Sequence, residues 1–505
     1  MALAQVHGVV LWGVTGAMVT VEAEVSDGLP SVGVIGLPDT SVGESRWRAR
    51  SAIESTGARW PNRRVTISLT PAEIPKHGAG LDLPIAIGVL AASGQLAGVD
   101  LAGTTFIGEL GLDGRLRATR GALAGALAAR ASGLVRVVVA ADGIAEISRL
   151  PGIAVHGAVD LSHVLSILRG ADPGAPVSAA VSEPEQQQPD LADVRGHAHA
   201  RFALVVAAAG GHHMAMVGPP GVGKTLLAER LPGILPDLND DAAIEVAAIH
   251  SVAGLTRADF HRPPYRAPHH SASSAALLGA AHGHRVRPGA VTLAHRGVLF
   301  MDEAPEFARP SLEGLRQPLE SGQVALHRAG WSGMLPAAFQ LVLAANPCPC
   351  GQRSGTGVGC SCPPQAIRRY AARLSGPLLD RIDIRLRMSQ PAAAELQSTE
   401  VPDTSRQARA RVTAARDRAR SRYARLPWST NAAAPAARLR RDWPTDDAGA
   451  RLLADMERGS VNLRGIDRVL RMAWTLADLA ERARPGRDEV AMALGLRGAS
   501  LSWSA

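Results

Sequence analysis

Gly218-Pro219-Pro220-Gly221-Val222-Gly223-Lys224-Thr225 decides how this chain is read. The run fits G-x-x-x-x-G-K-[ST], a phosphate-binding loop. The apolar residues 214–217 ahead of it predict a strand end, and residues 226–231 behind it predict the start of a helix. In that setting the glycines let backbone N–H groups close around phosphates, and the helix N-terminus adds partial positive charge. All eight residues are candidate nucleotide contacts. Lys224 is expected to reach the β- and γ-phosphates, and the Thr225 hydroxyl to hold Mg²⁺. Lysine occurs only at positions 76 and 224 among 54 basic residues. A compact ammonium is kept where a planar guanidinium would not fit.

Working outward, Val298–Met301 reads as a buried strand ending in Asp302-Glu303. Four apolar residues and an acidic pair, downstream of such a loop, form a Walker B element. Asp302 is a candidate Mg²⁺ ligand, and Glu303 the general base that polarises the attacking water. Gln340–Ala345 is a further apolar strand, ending in Asn346. This amide either positions the hydrolytic water or simply starts the turn before Pro347. Arg381 lies between Asp380 and Asp383. It is either locally ion-paired or an arginine finger acting on a neighbouring subunit. Arg464 opens an amphipathic helical stretch with Val469, Leu470, Ala473, Leu476, Ala477 and Ala480 at helical spacing.

The 505 residues leave room for two to four domains. No apolar run reaches the length of a membrane span, and residues 1–7 lack the basic start and apolar core of a signal peptide. A cytoplasmic protein is expected. Strand-like residues 65–69 and 135–140 and a helix over 122–131 place a mixed domain at 1–169. Residues 170–190, rich in Pro, Gln and acids, read as a linker. Residues 191–388 hold the nucleotide motifs, and 389–505 read as helical. Residues 401–505 carry 20 arginines against 12 acids, which accounts for the whole net charge of +8. Such a domain suits a polyanion, or its arginines form solvated helix faces.

Together these residues resemble the AAA+ ATPases, and more narrowly the magnesium-chelatase-like ComM/YifB family. The supporting segments are Asp193-Val194-Arg195-Gly196-His197, Arg266-Ala267-Pro268-His269-His270-Ser271, residues 288–297 leading into the acidic pair, and Asn346-Pro347-Cys348-Pro349-Cys350-Gly351. They follow the family's order over nearly the whole chain. His197 departs from the expected Gln. The resemblance implies an α/β multidomain protein: a Lon-protease-like (S5-type) α+β N-terminal domain, a central AAA+ P-loop domain and a C-terminal helical lid. It also implies a homo-hexamer, an arginine finger at Arg381, sensor-1 at Asn346 and sensor-2 at Arg464, with Arg468 as the alternative. In Lon-like proteases the segment that matches Pro75-Lys76-His77-Gly78-Ala79-Gly80 carries the nucleophilic serine two residues after the glycine. Here Gly80 stands in its place, and residues 122–124 lack the general-base lysine, so proteolysis is not expected. Lys76 either touches a phosphate or a neighbouring subunit, or lies in an exposed loop.

All four cysteines fall in one C-x-C-x9-C-x-C cluster: Cys348, Cys350, Cys360 and Cys362. Four thiolates so spaced can wrap a structural Zn²⁺; a redox-sensitive cluster and inert thiols are the alternatives. His269 and His270 read as structural or pore-loop residues. The expected function is an ATP- and Mg²⁺-dependent motor moving on single-stranded or branched DNA, a helicase or branch-migration factor in recombination or natural transformation. The insertions at 260–290 and 321–338 would project into a ring's pore, with Arg262, Arg266, Arg285 and Arg287 facing phosphates. No aromatic stacking platform is evident there; Tyr265 and Trp331 are the candidates. A chelatase-type motor that remodels a protein partner is the alternative, disfavoured by the extended N-terminal domain. No membrane partner and no small-molecule substrate beyond ATP are expected.

Overall fold

Val19, Val21, Ala23 and Val25 alternate buried and solvent-facing positions along one strand, the period-two pattern of a sheet with one face on a core. In the computed structural model this strand is β2 (Thr15–Ser26). It joins β1 (Ala2–Trp12), β3 (Ser31–Ile35), β4 (Arg64–Thr70), β5 (Thr104–Ile107), β6 (Arg136–Ala140) and β7 (Ala154–Ala158) in the order β3-β4-β2-β1-β5-β6-β7. The β1–β2 and β2–β4 pairs are antiparallel, and the others parallel. The structure describes residues 2–173, 189–257, 259–328, 331–353, 359–392, 395, 402–458 and 463–498. Most of the predicted linker, 174–188, lies outside the described residues.

One face of this sheet is covered by the helices Thr40–Ser55 and Asp82–Ala92. Helix Ala122–Ala131 covers the other side. Its approach is so close that a Cβ on Gly16 would lie 2.6 Å from the Ala124 carbonyl oxygen. The same helix packs against Asp240–Val252 of the next region, so one apolar cluster runs from Val9 and Leu123 to Ile244 and Leu343. The N-terminal region is therefore seated on the nucleotide-motif region through a shared core.

The second sheet contains β8 (Met214–Val217), β9 (Tyr265–Arg266), β12 (Val298–Met301), β15 (Gln340–Ala345) and β16 (Ile384–Arg387), in the order β9-β12-β15-β8-β16 and parallel throughout. Residues of β12 and β15 are buried along their whole length, as expected of strands covered on both faces. Two hairpins interrupt this sheet's connections: β10 (Gly279–His282) with β11 (Arg285–Pro288), and β13 (Gln323–Arg328) with β14 (Trp331–Pro336). The C-terminal region is helical among the described residues. Thr404 caps helix Ser405–Arg422 in a box with Gln407, and Ala408, Val412, Ala415 and Ala419 form its buried stripe. That stripe faces helices Ala198–Gly210 and Leu463–Leu479. No described helix is long and apolar enough to cross a membrane.

Candidate functional site

The carboxyl ends of β8, β12 and β15 meet at one corner. Gly221 and Gly223 adopt left-handed φ values of 75° and 89°, which bend the loop after β8 back towards the helix that starts at Lys224. The Lys224 ammonium is buried and donates to the carbonyls of Gly218 (2.6 Å) and Pro219 (2.9 Å) and to Asn346 Oδ1 (3.1 Å). Burial lowers its pKa, with Asp302 and Glu303 opposing. Thr225 Oγ1 donates to Asp302 Oδ2 at 2.8 Å. The loop, the acidic pair and the strand-end amide, far apart in sequence, are thus brought together by strand order.

A cavity of about 300 Å³ opens beside them, lined by Thr225, Glu229, Tyr265, His269, His270, Phe300, Asp302 and Glu303, among others. Thr225 and Asp302 offer two adjacent oxygens, a donor set suited to Mg²⁺. Glu303 is half-exposed with φ 49°, and its carboxylate lies 3.1 Å from His270 Nδ1. Sequence reasoning took His270 for a structural or pore-loop residue and missed its place beside Glu303. The parallel pairing of β9 with β12 carries the segment after β9 to the acidic pair, and no local pattern signals that.

Arg381 and Arg464 do not line this cavity. Arg381 is paired neither with Asp380 nor with Asp383. It bonds Glu320 and the Pro377 carbonyl. Burial lowers its pKa, and the charges of Arg316, Arg468 and Arg464 lower it further. Arg464 is exposed at the start of helix Leu463–Leu479. Arg468 is tied to buried Asp383. His197 takes a left-handed φ of 53° at the start of helix Ala198–Gly210.

Among the cysteines, Cys348 Sγ lies 3.3 Å from Cys350 Sγ and 3.6 Å from Cys360 Sγ, and all four sulfurs fall within 4.8 Å of one another. Four sulfurs at Zn–S distances of about 2.3 Å in a tetrahedron stand ~3.8 Å apart, so the cluster fits Zn²⁺. The Gln352 backbone N–H, with neighbouring thiols, pulls Cys350 down to about 6, while burial pushes Cys348 up to about 12.

Several expectations need correction. The insertion hairpins pack against the N-terminal region. His284 stacks on Trp12 with ring centroids 6.5 Å apart, Arg285 faces Asp39 at 3.7 Å, and Trp331 is buried beside Gly13. Tyr265 is half-buried and stacks on Phe300. Neither aromatic is a free stacking platform, because burial by a distant segment is invisible locally. Arg266 is pulled into the interior, which lowers its pKa; Arg287 stays exposed. Lys76 is buried and donates to the Pro71 carbonyl, so within the chain it is neither an exposed loop lysine nor a phosphate contact. Many arginines of 401–505 have acidic partners: Arg409 with Asp237, Arg411 with Asp403, Arg418 with Glu481, Arg422 with Asp478 and Arg440 with Asp467. Four of these five partners lie within the segment, so the pairs sit on helix faces and the excess of arginine remains.

Three family descriptions match the chain in succession. They are "Subunit ChlI of Mg-chelatase" over residues 21–143, "Magnesium chelatase, subunit ChlI" over 190–396 and "Magnesium chelatase, subunit ChlI C-terminal" over 402–497. An uncharacterized protein of Mycobacterium tuberculosis is 47% identical over 98% of this chain and 99% of its own length. The uncharacterized protein YifB of Escherichia coli is 40% identical, over 95% and 94%. The competence protein ComM of Haemophilus influenzae is 39% identical, over 98% and 98%.

Proposed function

The chain belongs to the magnesium-chelatase-like ComM/YifB family of AAA+ ATPases, and from that premise we propose that it is a homo-hexameric motor that hydrolyses ATP to translocate on single-stranded or branched DNA. The observation that carries the ATPase reading is the convergence of Lys224 on Asn346 and of Thr225 on Asp302. With ATP bound, Lys224 exchanges loop carbonyls for β- and γ-phosphate oxygens. Asn346 and Glu303 orient a water for in-line attack, and Glu303 accepts its proton. Thr225 and Asp302 would hold Mg²⁺, which offsets phosphate charge when bound. Arg381, outside its own chain's cavity, would leave Glu320 to reach a neighbour's γ-phosphate, and Arg464 would act as sensor-2. Cys348, Cys350, Cys360 and Cys362 would hold a structural Zn²⁺ that fixes the segment just after Asn346.

The DNA component rests on the competence name of a relative and on the family. The chelatase-type alternative gains weight from the "Subunit ChlI" match over 21–143, so the extended N-terminal domain no longer counts against it. Phosphate release measured without DNA, with single-stranded DNA and with forked DNA separates the two. Stimulation that fades with added salt supports the DNA motor. Indifference to DNA sinks it and leaves the chelatase-type reading.

A further inference from the structure

Between Glu320 and Asp380 the sequence holds five arginines and no acidic residue. Two of the five, Arg368 and Arg369, stand on helix Pro364–Ala371, which starts two residues after Cys362. Ile367 and Tyr370, one turn apart, form the buried stripe of that helix, and Arg368 and Arg369 lie exposed. Among the described residues neither arginine has a hydrogen bond or an ion pair. The inner side of the same helix leans on the nucleotide site. The Tyr370 hydroxyl shares a hydrogen bond with the Asn346 backbone, and burial pushes its pKa up to about 12, so it stays a neutral phenol. Arg373, just past the helix, donates to the Pro305 carbonyl at 3.0 Å and to Glu306 Oε2 at 2.7 Å, in the turn that follows Glu303. Upstream, Gly351 packs so tightly on the phosphate loop that a Cβ there would lie 2.7 Å from Pro220 Cγ. The described residues of 347–373 thus touch the phosphate loop, the strand-end amide and the turn after the acidic pair.

We propose that Arg368 and Arg369 bind the phosphodiester backbone of DNA, and that helix Pro364–Ala371 relays this contact to Asn346 through Tyr370. The proposal rests on the DNA-motor reading above. An arginine with no acidic partner gives up only water when it meets a phosphate, whose oxygens fit the guanidinium fork. The acid-free sequence around the pair leaves nothing nearby to neutralise it or to repel a polyanion. A strand that engages the exposed arginines shifts the helix as a unit. Tyr370 moves with it, and so does Asn346, the amide that accepts from Lys224 at 3.1 Å. Small displacements of such a positioning group change a rate by about tenfold. Tyr370 is therefore a positioning residue, and the two arginines are the contact that drives it.

The test measures binding of labelled single-stranded DNA to the full chain across a salt titration, and phosphate release with and without that DNA. Arg368→Gln/Arg369→Gln is expected to make the slope of log affinity against log salt shallower by about 1.4, two phosphate contacts at ~0.7 each on a single strand. Its phosphate release without DNA is expected to match the parent within about twofold. Tyr370→Phe is expected to keep the parent's DNA affinity and to lose most of the DNA stimulation of kcat, about threefold or more. If Tyr370→Phe fails to fold, Arg373→Gln, which cuts the helix's tie to Glu306, takes its place with the same expectation. A double variant with the parent's salt slope overturns the contact. So does one whose rate falls in the absence of DNA, which would assign the arginines to a neighbour's nucleotide. A Tyr370→Phe chain stimulated as fully as the parent overturns the relay. Each of these results leaves the DNA-motor reading intact. A parent chain that neither binds DNA nor responds to it overturns both.

Discussion

The two ends of the central parallel sheet are built in opposite ways. At the amino ends of β8 and β16, His212, Asp383 and Arg468 form a closed set. Asp383 is buried, accepts from His212 Nδ1 at 3.0 Å and is paired with Arg468. His212 also meets Thr475 at 2.8 Å, and Thr475 accepts from Asn431, which in turn contacts Asp478. Burial alone would raise the Asp383 pKa, but Arg468 and His212 overcome it and hold the carboxyl well below the usual carboxylate range. At the carboxyl ends of β8, β12 and β15 the polar groups are only provisionally paired. Lys224 rests on loop carbonyls, and Glu303 is half-exposed. A saturated network fixes helix Leu463–Leu479 to the sheet. An unsaturated one is ready to exchange partners for a ligand.

Substitutions at the two ends should therefore separate stability from turnover. Glu303→Gln is expected to cut ATP turnover by about 10²–10⁴-fold, with little change in thermal midpoint. Asp383→Asn should do the reverse. It leaves Arg468 and His212 facing a neutral amide in the interior, a loss of about 3–5 kcal/mol by the usual cost of orphaning a buried charge. Calorimetry and phosphate release on the same preparations check both. If Asp383→Asn left the midpoint unchanged, the closed network would not be what anchors helix Leu463–Leu479.

The cysteine cluster sharpens the comparison, because it follows directly on Asn346 at the open end, with Cys348 buried and Cys350 exposed. About one Zn²⁺ per chain should be released when the thiols are titrated with a mercurial, and none from Cys348→Ser/Cys360→Ser. Loss of the ion should lower kcat by about tenfold through misplacement of Asn346, since small displacements of a positioning group cost that much or more. A metal-free chain with full activity would separate the cluster from the site.

Legibility in the sequence followed the range of the interactions. The loop at 218–225, the strands over 214–217, 298–301 and 340–345, and helix Ala122–Ala131 are runs of adjacent residues, so periodicity and turn chemistry expose them. The cysteine cluster was readable because no cysteine lies elsewhere. The contact of His270 with Glu303, the Glu320 partner of Arg381 and the burial of Lys76 and Trp331 depend on which segments strand order and domain docking bring together. One-dimensional patterns carry no such term. The partner of Arg409 was hidden for the same reason: Asp237 lies far upstream in the sequence.

The smallest expected effect lies in the pH dependence of stability, where the two domains pull in opposite directions. His213, beside the closed network, and His250, in helix Asp240–Val252, are pushed down to about 4 by burial. Their folded values lie below the unfolded one, so the stability they allow is complete above about pH 6.5 and falls as pH drops towards 4. Glu146, in the N-terminal region, is raised to about 7 by burial, with only Ser251 Oγ of the neighbouring domain opposing it at 3.1 Å. Its folded value lies above the unfolded one, so its contribution is fully present below about pH 4.5 and lost as pH rises through 7. Between pH 4.5 and 6.5 the carboxyl thus offsets one of the two histidines, at ~1.4 kcal/mol per pH unit for each proton. Glu146→Gln removes the offset and should steepen the acid decline in thermal midpoint, while His213→Gln should flatten it. Identical slopes for the parent and Glu146→Gln would mean that the carboxyl at the domain junction is already ionised in the folded protein.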